Sequence, residues 1–115
     1  MGKLAAIDIP ANHLAKLKKV LAGDSRIERV LLYGSRAMGT ARPQSDIDIV
    51  LVGDTLSFRD LAKIKLEIDD LMLPQRVAIT LYHLIDNNHL LQHIERVGIN
   101  LFQLPTPTRS AGRSL

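Results

Sequence analysis

Apolar and polar positions alternate along this chain in two distinct periods, and the changes of period mark its elements. From Pro10 to about Ala22, Leu14, Leu17 and Leu21 recur at helical spacing while Lys16, Lys18 and Lys19 fall mostly outward, which predicts a first helix. Gly23-Asp24-Ser25 breaks it, and Ile27 to Tyr33 (IERVLLY) is a largely apolar, β-prone run that reads as a buried strand. After Gly34 comes a loop, or a short helix followed by a loop, from Ser35 to Ser45. Asp46 to Val52 (DIDIVLV) then has a period of two, placing Ile47, Ile49 and Leu51 on one face and Asp46, Asp48 and Val50 on the other. The stretch Ser57-Phe58-Arg59-Asp60 has the spacing of a capping box and opens a second helix, with Phe58, Leu61, Ile64, Ile68 and Leu71 as its apolar face. Pro74 stops that helix. Arg76 to Leu84 (RVAITLYHL) predicts a third strand, with Val77, Ile79 and Leu81 on its apolar side and Ala78, Thr80 and Tyr82 on its mixed side. A last helix is expected from Asn88 to Val97, with Leu90, Leu91, Ile94 and Val97 inward and Gly98 as its stop. Asn100 to Leu104 adds an edge strand.

Strands alternating with helices imply an α/β or α+β fold: a short mixed sheet with helices packed on one face and aspartates on the other. The expected domain is residues 1–104. Residues 105–115 (PTPTRSAGRSL), polar and proline-spaced, are expected to form a disordered tail.

Composition narrows the function classes. With 115 residues there is room for one domain, and 46% hydrophobic residues suffice for one core. The absence of cysteine excludes disulfides, thiolate nucleophiles and thiolate metal sites. No run approaches the roughly 20 apolar residues of a membrane span and no signal-peptide layout opens the chain, so a cytoplasmic protein is expected. The net charge of +3 is a modest excess, and two Tyr, two Phe and no Trp make a poor base-stacking platform. Direct nucleic-acid binding is therefore not assigned.

The chemistry lies between Gly34 and Asp48, in GSRAMGTARPQSDID. Two carboxylates two residues apart on a strand share one face, ~6.6 Å apart along it. Such hard oxygen donors suit Mg2+, which shares its coordination sphere with triphosphate oxygens. In two-metal phosphoryl transfer the ions sit about 3.5–4 Å apart, one at the attacking and one at the leaving oxygen. Gly34 lets backbone amides approach phosphate oxygens, and Ser35 adds a hydroxyl. Arg36 and Arg42 flank the loop and offset triphosphate charge, and Ser45 completes the nucleotide-binding set. An Asp-x-Asp or a Gly-Ser turn is ordinary when found singly; the two in order, each at the end of its own strand, form a constellation.

That string fits the GS-x10-DxD signature of the DNA polymerase β-like nucleotidyltransferase superfamily. It most resembles the minimal nucleotidyltransferases of prokaryotes, the MntA-type antitoxins paired with HEPN-domain toxins of the HepT type, over about Ile27 to Phe102. The resemblance implies transfer of AMP from ATP to a tyrosine of the partner toxin. It also implies that Gly34 and Ser35 hold the triphosphate and that Asp46 and Asp48 ligate the metal ions.

The chain departs from that pattern twice. Met38-Gly39 follows Arg36-Ala37 where the family often has Arg-Gly, which implies one phosphate contact fewer. More seriously, the family's third carboxylate lies on the next strand in a pattern like LP-x-x-V-D-hydrophobic. This chain reads LPQRVAI, with Ala78 at the acid's position, either a natural loss or an engineered change. Asp69, Asp70 and Asp86 are the nearest substitutes, on an expected helix and turn. The chain is thus expected to be weakly active or inactive, with nucleotide binding surviving. The rival readings are a non-catalytic module that neutralises its toxin by association, and transfer to a small molecule such as an aminoglycoside; so short a chain leaves nothing to form an acceptor pocket for the latter. His89 and His93, four apart on a helix, have zinc-binding spacing but no third ligand and lie off the apolar stripe, so no metal is assigned to them. His13 and His83 are read as surface or half-buried, and Tyr33 and Tyr82 as neighbours of the site.

Overall fold

The computed structural model describes residues 7–103 and holds a four-stranded sheet flanked by helices. In chain order the elements are α1 (Ala11–Ala22), β1 (Arg29–Tyr33), α2 (Ser35–Met38), β2 (Ile47–Val52), α3 (Phe58–Asp69), β3 (Val77–Leu81), a 3-10 turn (Tyr82–Leu84), α4 (Asn88–Val97) and β4 (Ile99–Gln103). The sheet order is β3-β2-β1-β4. β1 pairs antiparallel with β2 and β4, whereas β2 and β3 run parallel, which requires the α3 crossover between them. The fold class read from the sequence therefore holds.

Register fixes the faces. Val30 and Leu32 oppose Leu51 and Ile49, which in turn pair with Leu81 and Ile79. This apolar set, with Ile47 and Leu101, packs against Leu17 and Leu21 of α1 and Ile64 and Ile68 of α3 in one core. Among the described residues, large side chains with under 2% exposure, led by Leu17, Leu21 and Ile27, indicate dense packing. α3 starts as its sequence predicts: Ser57 Oγ accepts from the Asp60 amide and the Asp60 carboxylate accepts from the Ser57 amide. Arg26 ties that cap to the approach of β1 through ion pairs with Asp24 (2.8 Å) and Asp60 (3.0 Å).

Four details differ from expectation. α1 and α3 cover one face as expected, but α4 crosses to the other: its buried Ile94 lines a groove with Leu31, Tyr82 and Asn100, on the side opposite the core. Phe58 is 71% exposed, because at 100° per residue it stands about 120° from Ile64 around the helix. β1 begins at Arg29; Ile27 is fully buried but sits in the turn before it, its amide bonded to the Asp24 carbonyl. β3 ends at Leu81 and curls into a 3-10 turn, because β2 ends one residue beyond its Leu51–Leu81 pairing and leaves the chain without a ladder partner. The expected disordered tail, 105–115, lies outside the described residues. Among the described residues, no helix is long and apolar enough to cross a membrane.

Candidate nucleotide-binding site

The polar face of the sheet carries a row across three strands. Tyr33 of β1 pairs with Asp48 of β2, and Asp48 pairs with Ala78 of β3. Because paired residues point to one face, these three side chains share one side, with Val50 and Thr80 one step along. Asp46 lies just before β2 and is exposed, while Asp48 is half-buried. The Asp48 carboxyl is held above its ordinary value, first by burial and then by the charge of Asp46, with His93 pulling the other way. Tyr33 is likewise pushed up, chiefly by burial and further by Asp48, against a hydrogen bond from Thr80.

Gly34 ends β1 with φ +73°, a backbone state that disfavours side chains. A Cβ there would also collide with the Asp48 carboxylate. Glycine at this position is thus favoured first by its positive-φ backbone, and a side chain there would also push the Asp48 carboxylate aside. The Gly34 carbonyl accepts from the Ala37 and Met38 amides, which winds the chain into α2, and Gly39 (φ +78°) ends that turn. Ser35 is half-buried at the first position of α2, next to Gly34.

The arginines divide. Arg36, read from the sequence as a counter-charge for phosphates, is 3% exposed and its guanidinium is spent on the protein's own backbone. It donates to the carbonyls of Asp8 (2.7 Å), Arg42 (3.2 Å), Pro43 (3.0 Å) and Ser45 (2.9 and 3.1 Å), clamping the loop that leads to Asp46. The planar fork suits several carbonyls at once, and burial makes those bonds costly to lose. Ser45 is part of the same loop: its hydroxyl accepts from the Arg42 amide and its own amide donates to the Arg42 carbonyl. The exposed side chain of Arg42 remains as the cation beside the loop.

The structure adds one residue that sequence reasoning set aside. His93 of α4 reaches over the sheet and accepts from the Gly34 amide through Nε2 at 3.3 Å. Its ring also meets Tyr33 edge-to-face, with centroids 6.0 Å apart. The available signal was its position next to Ile94, the buried residue of α4. His89, one turn earlier, is exposed. His83 is exposed too, and His13 is half-buried against the Gln75 amide. Tyr82 lies in the separate groove with Ile94.

As a cation site, Asp46 and Asp48 supply two hard oxygen donors with no built-in positive partner on Asp48's own strand, which fits one Mg2+ shared with phosphate oxygens. The methyl of Ala78 adds no ligand. Asp69 closes α3 beside β3, and Asp69, Asp70 and Asp86 are all exposed. Among the described residues no group of three His, Asp or Glu side chains is gathered to hold a metal ion. The donors thus fit one ion and fall short of the full set for two.

With this geometry in place, comparison with known proteins identifies the family. The model of the family described as "Polymerase beta, Nucleotidyltransferase" matches residues 15–105. The chain belongs to that nucleotidyltransferase family. The match spans every element from within α1 to β4, so the Gly34–Asp48 constellation lies inside it. No curated protein matches the sequence. Among solved structures, the nucleotidyltransferase fold resembles a toxin–antitoxin with AMP-PNP: TM-score 0.66, 22% identity, covering 79% of this chain and 73% of that one. It also resembles the MntA–HepT toxin–antitoxin (TM-score 0.63, 18% identity, 83% and 74% covered). A third similar structure is a tri-AMPylated Shewanella oneidensis HEPN toxin in complex with MNT antitoxin (TM-score 0.62, 19% identity, 81% and 71% covered). At such identities the likeness is one of fold.

Proposed function

We propose that this nucleotidyltransferase is the antitoxin half of a toxin–antitoxin pair, built to transfer AMP from ATP to a tyrosine of a HEPN-type toxin, and that Ala78 leaves it catalytically impaired. The observation that carries the reading is the row Tyr33–Asp48–Ala78, with Asp46 beside it and Gly34-Ser35 at its end. Gly34 and Ser35 receive the triphosphate, Arg42 faces its charge, and Asp46 and Asp48 hold Mg2+, which when bound neutralises charge on the phosphates. The partner's tyrosine oxygen attacks the α-phosphorus, the bond from that phosphorus to the bridging oxygen breaks, and pyrophosphate leaves. The tyrosine's proton needs an acceptor beside Asp48. Position 78 pairs with Asp48 in register, and a methyl group there takes no proton. The fold shared with toxin–antitoxin complexes, one with AMP-PNP and one with an AMPylated toxin, supports the partner and the nucleotide. The reading places the pair in the cytoplasm.

The test is mass spectrometry of the partner toxin after incubation with ATP and Mg2+, with this chain and its Ala78→Asp variant in parallel. The expected result is AMP added by Ala78→Asp and little or none by the parent. If neither modifies the toxin while both neutralise it, transfer is overturned and neutralisation is by association.

A further inference from the structure

Gly34 stands where the strand ladder runs out. The pairing of β1 with β2 ends at Tyr33–Asp48 and that with β4 at Leu32–Ile99, so the Gly34 amide has no strand acceptor. His93 fills that vacancy from 59 positions along the chain. To accept a hydrogen bond at Nε2 the imidazole must present a lone pair there, as the neutral tautomer with its proton on Nδ1 does. The ring is set in place by the edge-on contact with Tyr33 and by its neighbour Ile94, which anchors α4 to the sheet. At 3.3 Å the bond is slightly longer than the usual range for a nitrogen donor.

We propose that His93 is an internal competitor for the phosphate position, so that nucleotide binds by displacing the imidazole from the Gly34 amide. The inference rests on the nucleotide reading of this site. One N–H serves one good acceptor, and imidazole nitrogen and phosphate oxygen both seek this one. A charged phosphate oxygen makes a bond roughly twice as strong as a neutral acceptor does. A polyphosphate therefore wins the exchange, and a ligand without anionic oxygens does not. His93 thereby lowers the affinity for a nucleoside polyphosphate by the bond that must be given up, and leaves that for a nucleoside unchanged. A purely structural role, capping a leftover donor, makes a different prediction: removing the cap would loosen the loop and weaken binding.

Two variants separate these roles. His93→Phe keeps an aromatic ring against Tyr33 and removes the acceptor; His93→Gln keeps an acceptor within reach. Calorimetry with ATP and Mg2+, and with adenosine as control, is expected to show His93→Phe binding ATP about three- to tenfold more tightly than the parent, the worth of one ordinary hydrogen bond. His93→Gln is expected to stay near the parent, and adenosine to bind the parent and His93→Phe alike. Equal or weaker ATP binding by His93→Phe overturns the proposal while leaving the nucleotide reading standing. If neither parent nor variant binds ATP, the nucleotide reading falls and the inference falls with it. The unsubstituted chain gives a further reading should His93→Phe fail to fold. In 15N spectra ATP must shift the Gly34 amide and the His93 Nε2 resonance together, and movement of Gly34 with His93 unchanged overturns the displacement.

Discussion

Two pairs of aspartates among the described residues are built in opposite ways: Asp24 and Asp60 are brought together by folding, Asp46 and Asp48 by adjacency in the chain. Asp24 and Asp60 share Arg26, which bonds to both at 2.8 and 3.0 Å. Their carboxyls are held below the ordinary value, Asp24 mainly by Arg26 and Asp60 mainly by the Ser57 amide and hydroxyl. Asp46 and Asp48 have no such cation between them, and Asp48 is held above its ordinary value by burial and by Asp46. The fold neutralises one pair and leaves the other in need of positive charge from outside. The first pair joins the approach of β1 to the start of α3 and belongs to the architecture; the second stands at the proposed nucleotide site.

Breaking the second pair's surroundings should have the largest effect. Gly34→Ala places a side chain at φ +73° and against the Asp48 carboxylate. We expect about 3 kcal/mol of lost stability and a Tm lower by more than about 10 °C, read by circular dichroism. A Tm within error of the parent would show that Asp48 is free to move away, and the steric account would fail. Asp48→Asn should come next, in two opposite directions. Affinity for ATP with Mg2+ should fall by at least about tenfold, measured by calorimetry, while Tm at neutral pH rises because an unneutralised, half-buried charge is gone. A variant that binds ATP as before would detach Asp48 from the nucleotide site.

Arg26→Ala tests the first pair. Exposed ion pairs are weak, so only a small drop in Tm is expected, with ATP affinity unchanged. Smallest, and most discriminating, is the pH profile of stability. Asp24 and Asp60, with depressed folded values, contribute stability that is present above their unfolded pKa near 3.8 and lost as pH falls through the folded values below it. Asp48, with a raised folded value, contributes the reverse: stability present below 3.8 and lost as pH rises through its folded value. Denaturant titrations should therefore show Arg26→Ala flattening the acid limb and Asp48→Asn removing a decline above pH 3.8. Identical profiles for both variants would erase the distinction between the pairs.

Much of this architecture is written in local sequence patterns. The period-two run DIDIVLV put Asp48 opposite Ile49, and the pairing of β2 with β1 and β3 kept it so. The same rule put Ala78 on the face of Thr80, and the register then set it beside Asp48. The capping box at Ser57–Asp60 formed as its spacing implied. Local rules suffice here because strand alternation and helix capping involve residues within a few positions of each other. The reading of Arg36 as a phosphate partner failed for a related reason. A charged side chain in a polar loop looks solvent-facing from sequence, and only the folded loop shows carbonyls from Asp8 to Ser45 converging on it.

The sequence by itself determined the family signature, the strands and helices that present it, and the face on which the two aspartates and Ala78 stand. The tertiary structure alone decided that Gly34 is pressed by Asp48, that Arg36 is buried as a clamp, and that α4 lies over the polar face with His93 on the Gly34 amide. The division follows the range of the interactions. Periodicity records what a residue's neighbours in the chain require. Contacts across tens of residues depend on how the sheet orders its strands and where each helix lands, and no local spacing encodes them.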